Sequence, residues 1–321
     1  MAKHFLTVAD LSLKELMACL RLAHAWKHGK SGKRAALEGK TLALVFEKPS
    51  VRTRVSFEVA IRQLGGSSIY LGPEDAQLNR RELVKDVART LSRYVDGIVC
   101  RTFRHRDVEE LAEFASVPVI NGLSDLHHPC QALADVMTIL EHFGRLKGLE
   151  KNHGRLRPLE LAYIGDGNNV LHSLAQAASP LGINLRAATP ERYAPDEKLW
   201  NEAVRNGEGG LEIGRDPRAA ARGADIIYTD VWTSMGQEPE RKARQQAFRS
   251  FQVNKALLAL AKPRCVVMHC LPAHRGEEIT NDVIEGPRSI VFEQAENRLH
   301  AQKGLLEFLF GTQAATRKGG A

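Results

Sequence analysis

The sequence predicts an α/β protein of two doubly wound domains, each with a parallel sheet covered by helices on both faces. Short apolar runs alternate with amphipathic segments along most of the 321-residue chain, which is the pattern of βαβ units. The alternation breaks over residues 144–158, where glycines and basic residues cluster, and then restarts. A chain of this length also exceeds what one ordinary hydrophobic core fills.

This break places the predicted domain boundary near residue 145. We predict a first domain over 1–145 and a second over 146–294, and we expect a C-terminal helix within 295–321 to pack back onto the first domain. Residues 150–158 are interpreted as an insertion between the domains, on a solvated basic linker. Because ligands of such sheets bind at the carboxyl ends of the strands, we expect an active-site cleft between the domains.

The individual elements follow from hydrophobic periodicity. A capping box at Ser12–Glu15 begins a helix that ends near Gly29. In the first domain, the predicted strands are 41–46, 67–71, 97–101 and 117–121, and the helices between and after them are 54–64, 82–95, 107–115 and 129–143. In the second domain, the predicted strands are 160–166, 184–189, 225–230 and 265–270, and the helices are 170–179, 195–206, 217–222 and 240–249. The last amphipathic segment, 296–310, predicts a helix that starts beside Arg298.

Composition restricts the function classes. The net charge of +7 suits anionic ligands, but the basic residues are dispersed and aromatics make up only 6%, so the interleaved pattern of a nucleic-acid surface is missing. The five cysteines are scattered, and none has zinc-ligand spacing. The first residues show no signal-peptide core, and no apolar run approaches membrane-spanning length. We expect a cytoplasmic protein with no nucleic-acid or membrane partner.

The segment Ser50–Arg54 predicts an anion site. It lies between the apolar run 41–46 and a helical segment, so backbone N–H groups at a helix start favour an anion there. Two hydroxyls and two guanidiniums add directed donors, and a guanidinium can bind a phosphate with two hydrogen bonds. A solvated arginine-rich helix start is the alternative, and it is disfavoured because cations are electrostatically misplaced in a first turn.

Two further motifs in the first domain point to the same edge of the sheet. In His128–Gln131, Pro129 suits the first helical position, and the helix dipole is expected to lower the pKa of His128, which could then polarise a carbonyl oxygen. Gln131 offers a carbonyl to an NH2 group. Arg101 ends the strand 97–101. A polar helix cap at His128 and a structural ion pair for Arg101 remain open.

The second domain carries a second set of polar motifs at strand ends. Gly165–Val170 resembles a dinucleotide fingerprint but lacks the third glycine, which is weak evidence. Asp230 can bind an ammonium group, and the loop Asp230–Gly236 that follows is expected to move and to expose Trp232. Cys270 ends the strand 265–270, where a thiol can be functional, and His269 is expected on the opposite side of the pleat.

In this order, the motifs resemble those of the aspartate/ornithine carbamoyltransferase family. Ser50–Arg54 resembles its carbamoyl-phosphate loop, and His128–Gln131 resembles its second carbamoyl-phosphate motif. The segments Asp230–Gly236 and His269–Pro272 resemble the ornithine-using branch. The resemblance spans about residues 5–310, and agreement of five ordered motifs is far more specific than any single one.

The resemblance implies a homotrimer with active sites at subunit boundaries and with neither a metal nor an organic cofactor. Four residues would be catalytic: Arg101, His128, Asp230 and Cys270. Residues that would bind carbamoyl phosphate are Ser50, Val51, Arg52, Thr53, Gln77, Arg101, His128, Gln131, Cys270, Leu271 and Arg298. Those that would bind ornithine are Asn169, Asp230, Ser234 and Met235. Gln77 would reach across from a neighbouring subunit, although residues 79–82 replace the family's Gly-Arg-Gly-Glu run with Asn-Arg-Arg-Glu.

The implied reaction is attack of the δ-amine of L-ornithine on the carbamoyl carbon of carbamoyl phosphate, which gives L-citrulline and phosphate in arginine metabolism. Thr53, Arg101 and His128 are the expected donors to the oxygen of the tetrahedral intermediate. Alternatives are a carbamoyltransferase for putrescine or an acylated ornithine, a nicotinamide-dependent dehydrogenase suggested only by Gly165–Val170, and a non-catalytic subunit that retains the fold.

Overall fold

The computed structural model describes residues 2–30, 35–144 and 158–311, and it confirms the predicted α/β class. The chain divides into two compact units, Met1–Met137 with Asn297–Ala321, and Thr138–Glu296. The domain boundaries placed at 145 and 294 stay predictions. Most of the predicted linker and insertion, residues 145–157, lies outside the described residues, as does the end of the chain from residue 312.

The first unit contains a four-stranded sheet in the order β2-β1-β3-β4, with all neighbours parallel. Its strands are β1 Thr41–Phe46, β2 Ser67–Leu71, β3 Gly97–Arg101 and β4 Val119–Leu123. Its helices, two of which continue into the second unit, are α1 Leu13–Lys27, α2 Val51–Gln63, α3 Val84–Tyr94, α4 His105–Phe114, α5 Pro129–His142 and, from the end of the chain, the helix Val291–Gly311. The capping box predicted at Ser12–Glu15 is confirmed at the start of α1.

The interior of this sheet is formed by the strands whose sequences are apolar throughout. In β1 all residues from Leu42 to Phe46 are buried, and β3 is buried along its whole length. Such continuous burial is typical of parallel strands with helices on both faces. β2 forms one edge, and its side chains are only half covered or exposed. The carboxyl ends of β1, β3 and β4 therefore meet along one edge of the sheet.

The prediction for the fourth strand was wrong by two residues at each end, since β4 covers Val119–Leu123 instead of 117–121. Asn121 lies in the middle of β4 and is fully buried. Its side-chain amide donates to the Leu6 carbonyl at 2.9 Å, and its backbone N–H donates to the Phe5 carbonyl. The N-terminal segment thus accepts from the side-chain and backbone donors of a buried polar residue, which would otherwise be costly in a strand.

The second unit contains a five-stranded parallel sheet in the order β7-β6-β5-β8-β9. Its strands are β5 Glu160–Ile164, β6 Asn184–Ala188, β7 Leu211–Gly214, β8 Ile226–Thr229 and β9 Val266–His269. Its helices are α6 Asn169–Ala178, α7 Glu197–Arg205, α8 Pro217–Ala221, α9 Arg241–Phe248, α10 Lys255–Leu258 and α11 Asn281–Ile284, and the C-terminal helix Val291–Gly311 is α12.

The sequence patterns did not predict β7, α10 and α11. The strand β7 is an exposed edge strand of four residues, and the two helices are four residues each. Elements this short contain too few positions for a hydrophobic period to emerge. Among the described residues, no helix is both long and apolar enough to cross a membrane.

Candidate active site

The predicted anion loop forms the start of α2, which begins three residues earlier than the sequence indicated. Ser50 is the N-cap residue, and its Oγ accepts from the Thr53 N–H at 3.3 Å. Val51 and Arg52 occupy the first two helical positions and are exposed. N–H groups at these positions have no intrahelical acceptor. The helix start therefore presents free backbone donors beside the Arg52 guanidinium, as an anion site requires.

The second arginine of this loop, Arg54, is not part of that arrangement. Its Nε donates to Glu58 Oε1 at 2.9 Å, and its guanidinium lies 3.8 Å from the centre of the Tyr70 ring. The (i, i+4) carboxylate and the aromatic face of β2 together hold the side chain along the outside of the helix. The expectation that both arginines serve the anion was therefore too broad.

Arg101 and His128 are buried at the carboxyl edge of the first sheet. Arg101 ends β3 and is 5% exposed, and His128, immediately before α5, is 6% exposed. Pro129 occupies the first helical position as predicted. The candidate site therefore contains two buried polar side chains, one at the end of a strand and one at the start of a helix.

The pKa of His128 is lowered, as predicted, but the main cause differs from the prediction. Burial has the largest effect, and the positive charges of Arg298, Arg101 and Arg52 lower the pKa of His128 further. The imidazole is therefore neutral at pH 7. The three arginines therefore lie close enough to the ring to affect its charge, and several cations near one group suit an anionic ligand.

Arg298 joins this group from the far end of the sequence. Its Nη1 donates to Gln131 Oε1 at 2.7 Å and its Nη2 to Thr53 Oγ1 at 3.2 Å. The prediction that Arg298 stands at a helix start was wrong, because α12 begins at Val291. Residues 291–295, which precede the predicted start, are also helical. The arginine therefore lies in the helix interior and reaches the site through its long side chain.

Gln131 is more constrained than its sequence indicated. Its carbonyl oxygen accepts from Arg298, and its Nε2 donates to Asp135 Oδ1 at 2.8 Å. Asp135 is fully buried one turn further along α5. Gln131 can therefore accept from a ligand NH2 group only with its second lone pair.

Sequence reasoning missed Lys48, which lies between β1 and the anion loop. It is only 8% exposed, and its Nζ lies 4.5 Å from the centre of the Phe103 ring. Burial and the neighbouring charge of Arg101 lower the pKa of Lys48. A lysine directly before a Pro-Ser helix start was the available signal, since it adds a third cation to a segment that already contains two arginines.

Gln77 lies in a different loop from these groups. Its Nε2 donates to the Glu74 carbonyl at 3.2 Å. Asn79, where the family has glycine, adopts a left-handed φ of 58° and donates from its amide to Asp107 Oδ1 at 3.0 Å. Asparagine tolerates this conformation better than other non-glycine residues, so the loop keeps a glycine-type turn despite the substitution.

In the second unit, Asp230 is the centre of a hydrogen-bonded cluster at the ends of β5, β8 and β9. Asp230 is 5% exposed. Its Oδ2 accepts from Asn168 Nδ2 at 2.8 Å, and its Oδ1 accepts from the Val231 N–H at 2.8 Å and from Cys270 Sγ at 2.9 Å. Neutral donors on both oxygens hold the carboxylate in place, and among the described residues Asp230 has no ion-pair partner.

Of the two asparagines at the start of α6, the structure assigns the contact with Asp230 to Asn168. Its Oδ1 also accepts from the N–H groups of Val170 and Leu171, so it is the N-cap residue. Asn169, the predicted ligand residue, is the first residue of α6 and is half-buried. The segment that resembles a dinucleotide fingerprint is thus a capped helix start, and the side-chain amide of its N-cap residue donates to Asp230.

The segment after β9 is held by a buried histidine–glutamate pair. His269 and Glu278 are both fully buried, with Nε2 of the histidine 3.1 Å from Oε1 of the glutamate. The Leu271 N–H donates to His269 Nδ1 at 2.9 Å, and Leu271 has a φ of 57°. Cys270 is partly exposed, and the expectation that it lies opposite His269 on the strand stays a prediction.

The loop Asp230–Gly236 differs from the prediction in one respect. Met235 is 46% exposed, but Trp232 is buried at 4% and its ring stacks on Phe248 with centroids 5.8 Å apart. The tryptophan anchors the loop in the core instead of serving as an exposed contact. Ser234 is half-buried, and its N–H donates to Gln237 Oε1 at 3.0 Å.

One group of potential metal ligands coincides with this cluster. A ligand atom from each of Asp230, His269 and Cys270 lies within 4.8 Å of the others, and these are ligand types that zinc accepts. The Asp230 and Cys270 atoms already share a hydrogen bond, so the group is satisfied internally. The expectation that no metal takes part stays a prediction.

Comparison with known proteins identifies the family. The profile described as the aspartate/ornithine carbamoyltransferase carbamoyl-P binding domain matches residues 3–141, and the profile of the Asp/Orn binding domain matches residues 157–309. The ornithine carbamoyltransferase of Thermococcus kodakarensis is 55% identical over 95% of this chain and 96% of its own.

Solved structures agree with this result. The ornithine carbamoyltransferase structure from Pyrococcus furiosus has a TM-score of 0.89 and 51% identity, covering 97% of this chain and 98% of its own. An N-acetyl-L-ornithine transcarbamylase mutant has a TM-score of 0.83 at 34% identity, covering 95% and 98%. With matches along nearly its whole length, this chain belongs to the aspartate/ornithine carbamoyltransferase family.

Proposed function

We propose that this protein is an ornithine carbamoyltransferase that transfers the carbamoyl group of carbamoyl phosphate to the δ-amine of L-ornithine, giving L-citrulline and phosphate. The observation that carries the proposal is the 55% identity over nearly the full chain with a relative of that name. The relative named for N-acetyl-L-ornithine is 34% identical, so the comparisons favour free ornithine over the acylated substrate.

In the first unit, we assign the phosphate to the start of α2 and to Arg52. The backbone donors, the helix dipole and an exposed guanidinium all favour a multiply charged anion. The carbamoyl oxygen is assigned to Thr53, Arg101 and His128. Because burial and nearby arginines keep His128 neutral, its imidazole can donate a hydrogen bond to a developing oxyanion without carrying a charge. Ser50, Val51, Gln131 and Arg298 complete the carbamoyl-phosphate residues that we assign in this unit.

In the second unit, we assign the amino-acid end of ornithine to Asp230, with Asn169, Ser234 and Met235 around it. The carboxylate of Asp230 fits an α-ammonium group. The attacking δ-amine must lose a proton, because a free amine of this kind titrates near ~10.4. Cys270, whose thiol is fixed by Asp230 at 2.9 Å, is assigned to orient that amine, with Leu271 beside it.

The proposal is tested by measuring citrulline formation from ornithine, putrescine and N-acetylornithine side by side at one fixed concentration of carbamoyl phosphate. We expect ornithine to be preferred over N-acetylornithine by at least ~100-fold in kcat/KM, since a site built to pair an ammonium group rejects an analogue that lacks it. Putrescine keeps both amines and lacks only the α-carboxylate, so it tests whether the site also requires that carboxylate. Putrescine or N-acetylornithine used as well as ornithine would refute the substrate assignment. Absence of carbamoyl transfer to all three would refute the activity itself.

We further propose that the protein acts in arginine metabolism, in the cytoplasm, as a homotrimer in which Gln77 contacts carbamoyl phosphate in the neighbouring subunit. Exposed apolar side chains support a subunit contact on the first unit. Val51 is 78% exposed, and Val55 and Ile69 are each 51% exposed, which is typical of surfaces that pack against another protein.

Sedimentation equilibrium checks this assembly and should give a mass near three times that of the 35.5 kDa chain. A mixture of the inactive variants Gln77→Ala and Asp230→Asn should regain activity on reassembly. Some active sites then contain an intact Asp230 from one subunit and an intact Gln77 from its neighbour. A monomeric mass, or no regained activity in mixed trimers, would contradict a contribution of Gln77 from a neighbouring subunit.

A further inference from the structure

Arg244 is a buried cation on α9 that the reaction scheme above does not use. Its side chain is only 7% exposed. Within the same helix, Arg241 is 55% exposed and pairs with Glu277, as is usual for a surface arginine. Burying a guanidinium is costly unless its donors are satisfied, so the hydrogen-bond acceptors of Arg244 indicate its role.

The guanidinium of Arg244 connects two segments that carry the proposed ornithine residues. Its Nη1 donates to Asp166 Oδ2 at 3.0 Å and to the Trp232 carbonyl at 2.9 Å. Asp166 lies between β5 and α6, two residues before Asn168, and Trp232 lies between Asp230 and Ser234. One nitrogen therefore ties the start of α6 to the loop Asp230–Gly236.

Aromatic contacts fix the orientation of this guanidinium. Its central carbon lies 4.5 Å from the centre of the Tyr193 ring. Tyr193 and Trp232 both pack against Phe248, with centroids 4.9 and 5.8 Å away. A planar cation stacked on a buried ring has little freedom to rotate, so its donors remain directed at Asp166 and Trp232.

The charge of Arg244 also matters to Asp166. Burial raises the pKa of Asp166 to about 7, Arg244 acts in the opposite direction, and Asp230 raises the pKa further. Among the described residues, Arg244 is the cation that opposes this rise, and its Nη1 is also a hydrogen-bond donor to Asp166. Without Arg244, Asp166 would be a buried acid that has lost both its cation and this donor.

We infer that Arg244 is a positioning residue for the amino-acid substrate: it holds the loop Asp230–Gly236 against the start of α6, so that Asp230 and Ser234 keep the geometry that binds the α-amino end of ornithine. This inference rests on the proposed function. It assigns Arg244 no contact with substrate and no effect on the carbamoyl-phosphate residues of the first unit.

The test compares R244Q, R244K and the matched control R241Q, on the same helix, in the intact protein. We expect R244Q to raise the KM for ornithine by about 10- to 100-fold, as for the loss of a charged hydrogen-bond donor to buried acceptors, while the KM for carbamoyl phosphate stays within about twofold. R244K, which keeps the charge but not the planar fork, should raise the ornithine KM by a smaller factor, and R241Q should match the wild type.

Two results would overturn the inference: an ornithine KM for R244Q within about twofold of the wild type, or equal increases in both KM values, which indicate general destabilisation. If R244Q does not fold, the ornithine KM of R244K decides by the same criteria. Wild-type protein that makes no citrulline would refute the proposed function instead. Hydrogen exchange then tests the inference independently of activity: R244Q or R244K should exchange faster over residues 231–237 with β8 unchanged, and unchanged exchange over 231–237 would refute the positioning role.

Discussion

Replacing Arg52 with alanine should raise the dissociation constant for carbamoyl phosphate by about 100-fold or more, because two charge-assisted hydrogen bonds to a phosphate are lost. Arg52 is the exposed guanidinium at the second position of α2, next to backbone donors that have no other partner in the helix. It is also close enough to His128 to lower the pKa of that ring. Isothermal titration calorimetry with carbamoyl phosphate alone measures the effect without turnover.

Arg54→Ala is the matched control for this experiment. Arg54 has the same charge and lies two residues away, but its guanidinium is held by Glu58 and the Tyr70 ring. We expect it to change the dissociation constant by less than about fivefold, the effect of one screened charge at the surface. Equal losses in the two variants would show that the loop acts only through its total charge, and near-normal binding by Arg52→Ala would contradict the phosphate role of Arg52.

Asp230→Asn should lower kcat/KM for ornithine by at least about 100-fold and leave carbamoyl-phosphate binding intact. The substitution keeps the size of the side chain but removes the charge that pairs with an ammonium group, and it places an NH2 group where an oxygen now accepts from Asn168 or Cys270. A lost charged pair and one mismatched hydrogen bond together account for a factor of about this size. Steady-state kinetics with each substrate varied in turn measures it.

Cys270→Ser in the same assay separates the two members of this cluster. Serine can still donate to Asp230, so the carboxylate stays fixed, but the polarisable thiol beside the amine is lost. We therefore expect a smaller loss in ornithine kcat/KM than for Asp230→Asn, with carbamoyl-phosphate affinity roughly unchanged. If Cys270→Ser instead weakens carbamoyl-phosphate binding, the thiol belongs to the first substrate and not to the second.

Continuous burial is what made the strands predictable. β1 and β3 match their predicted residues, because apolar runs covered by helices leave an unambiguous pattern. The edge strand β2 also matches its predicted residues, although its side chains are only half covered or exposed. β4 was predicted two residues too early, because its position depends on the pairing of Asn121 with Leu6 and Phe5. That partnership joins residues more than a hundred positions apart, and no local pattern indicates it.

The candidate site shows the same division. Each predicted strand-end residue was identified from a short motif, and a motif reports which donors and charges occur together at a turn. A motif does not show which other residues its side chains contact. In the structure, Arg54 lies along the outside of α2, and the side-chain carbonyl of Gln131 accepts a hydrogen bond from Arg298. Trp232 packs in the core. Lys48 and Arg244 were missed, and Asn169 was chosen over Asn168, because the importance of these residues lies in contacts with residues distant in sequence.

The sequence by itself determined the α/β class, the parallel strands and the order of the motifs, because alternation of polar and apolar residues and the chemistry of strand-to-helix turns are local properties. Only the tertiary structure decided which of the cations stand around His128, which asparagine fixes Asp230, and which arginine holds the loop beyond it. Those contacts depend on burial and on hydrogen bonds between distant segments. Once the fold excludes water from a polar group, that group must form its hydrogen bonds with neighbouring protein groups, and these fix its position.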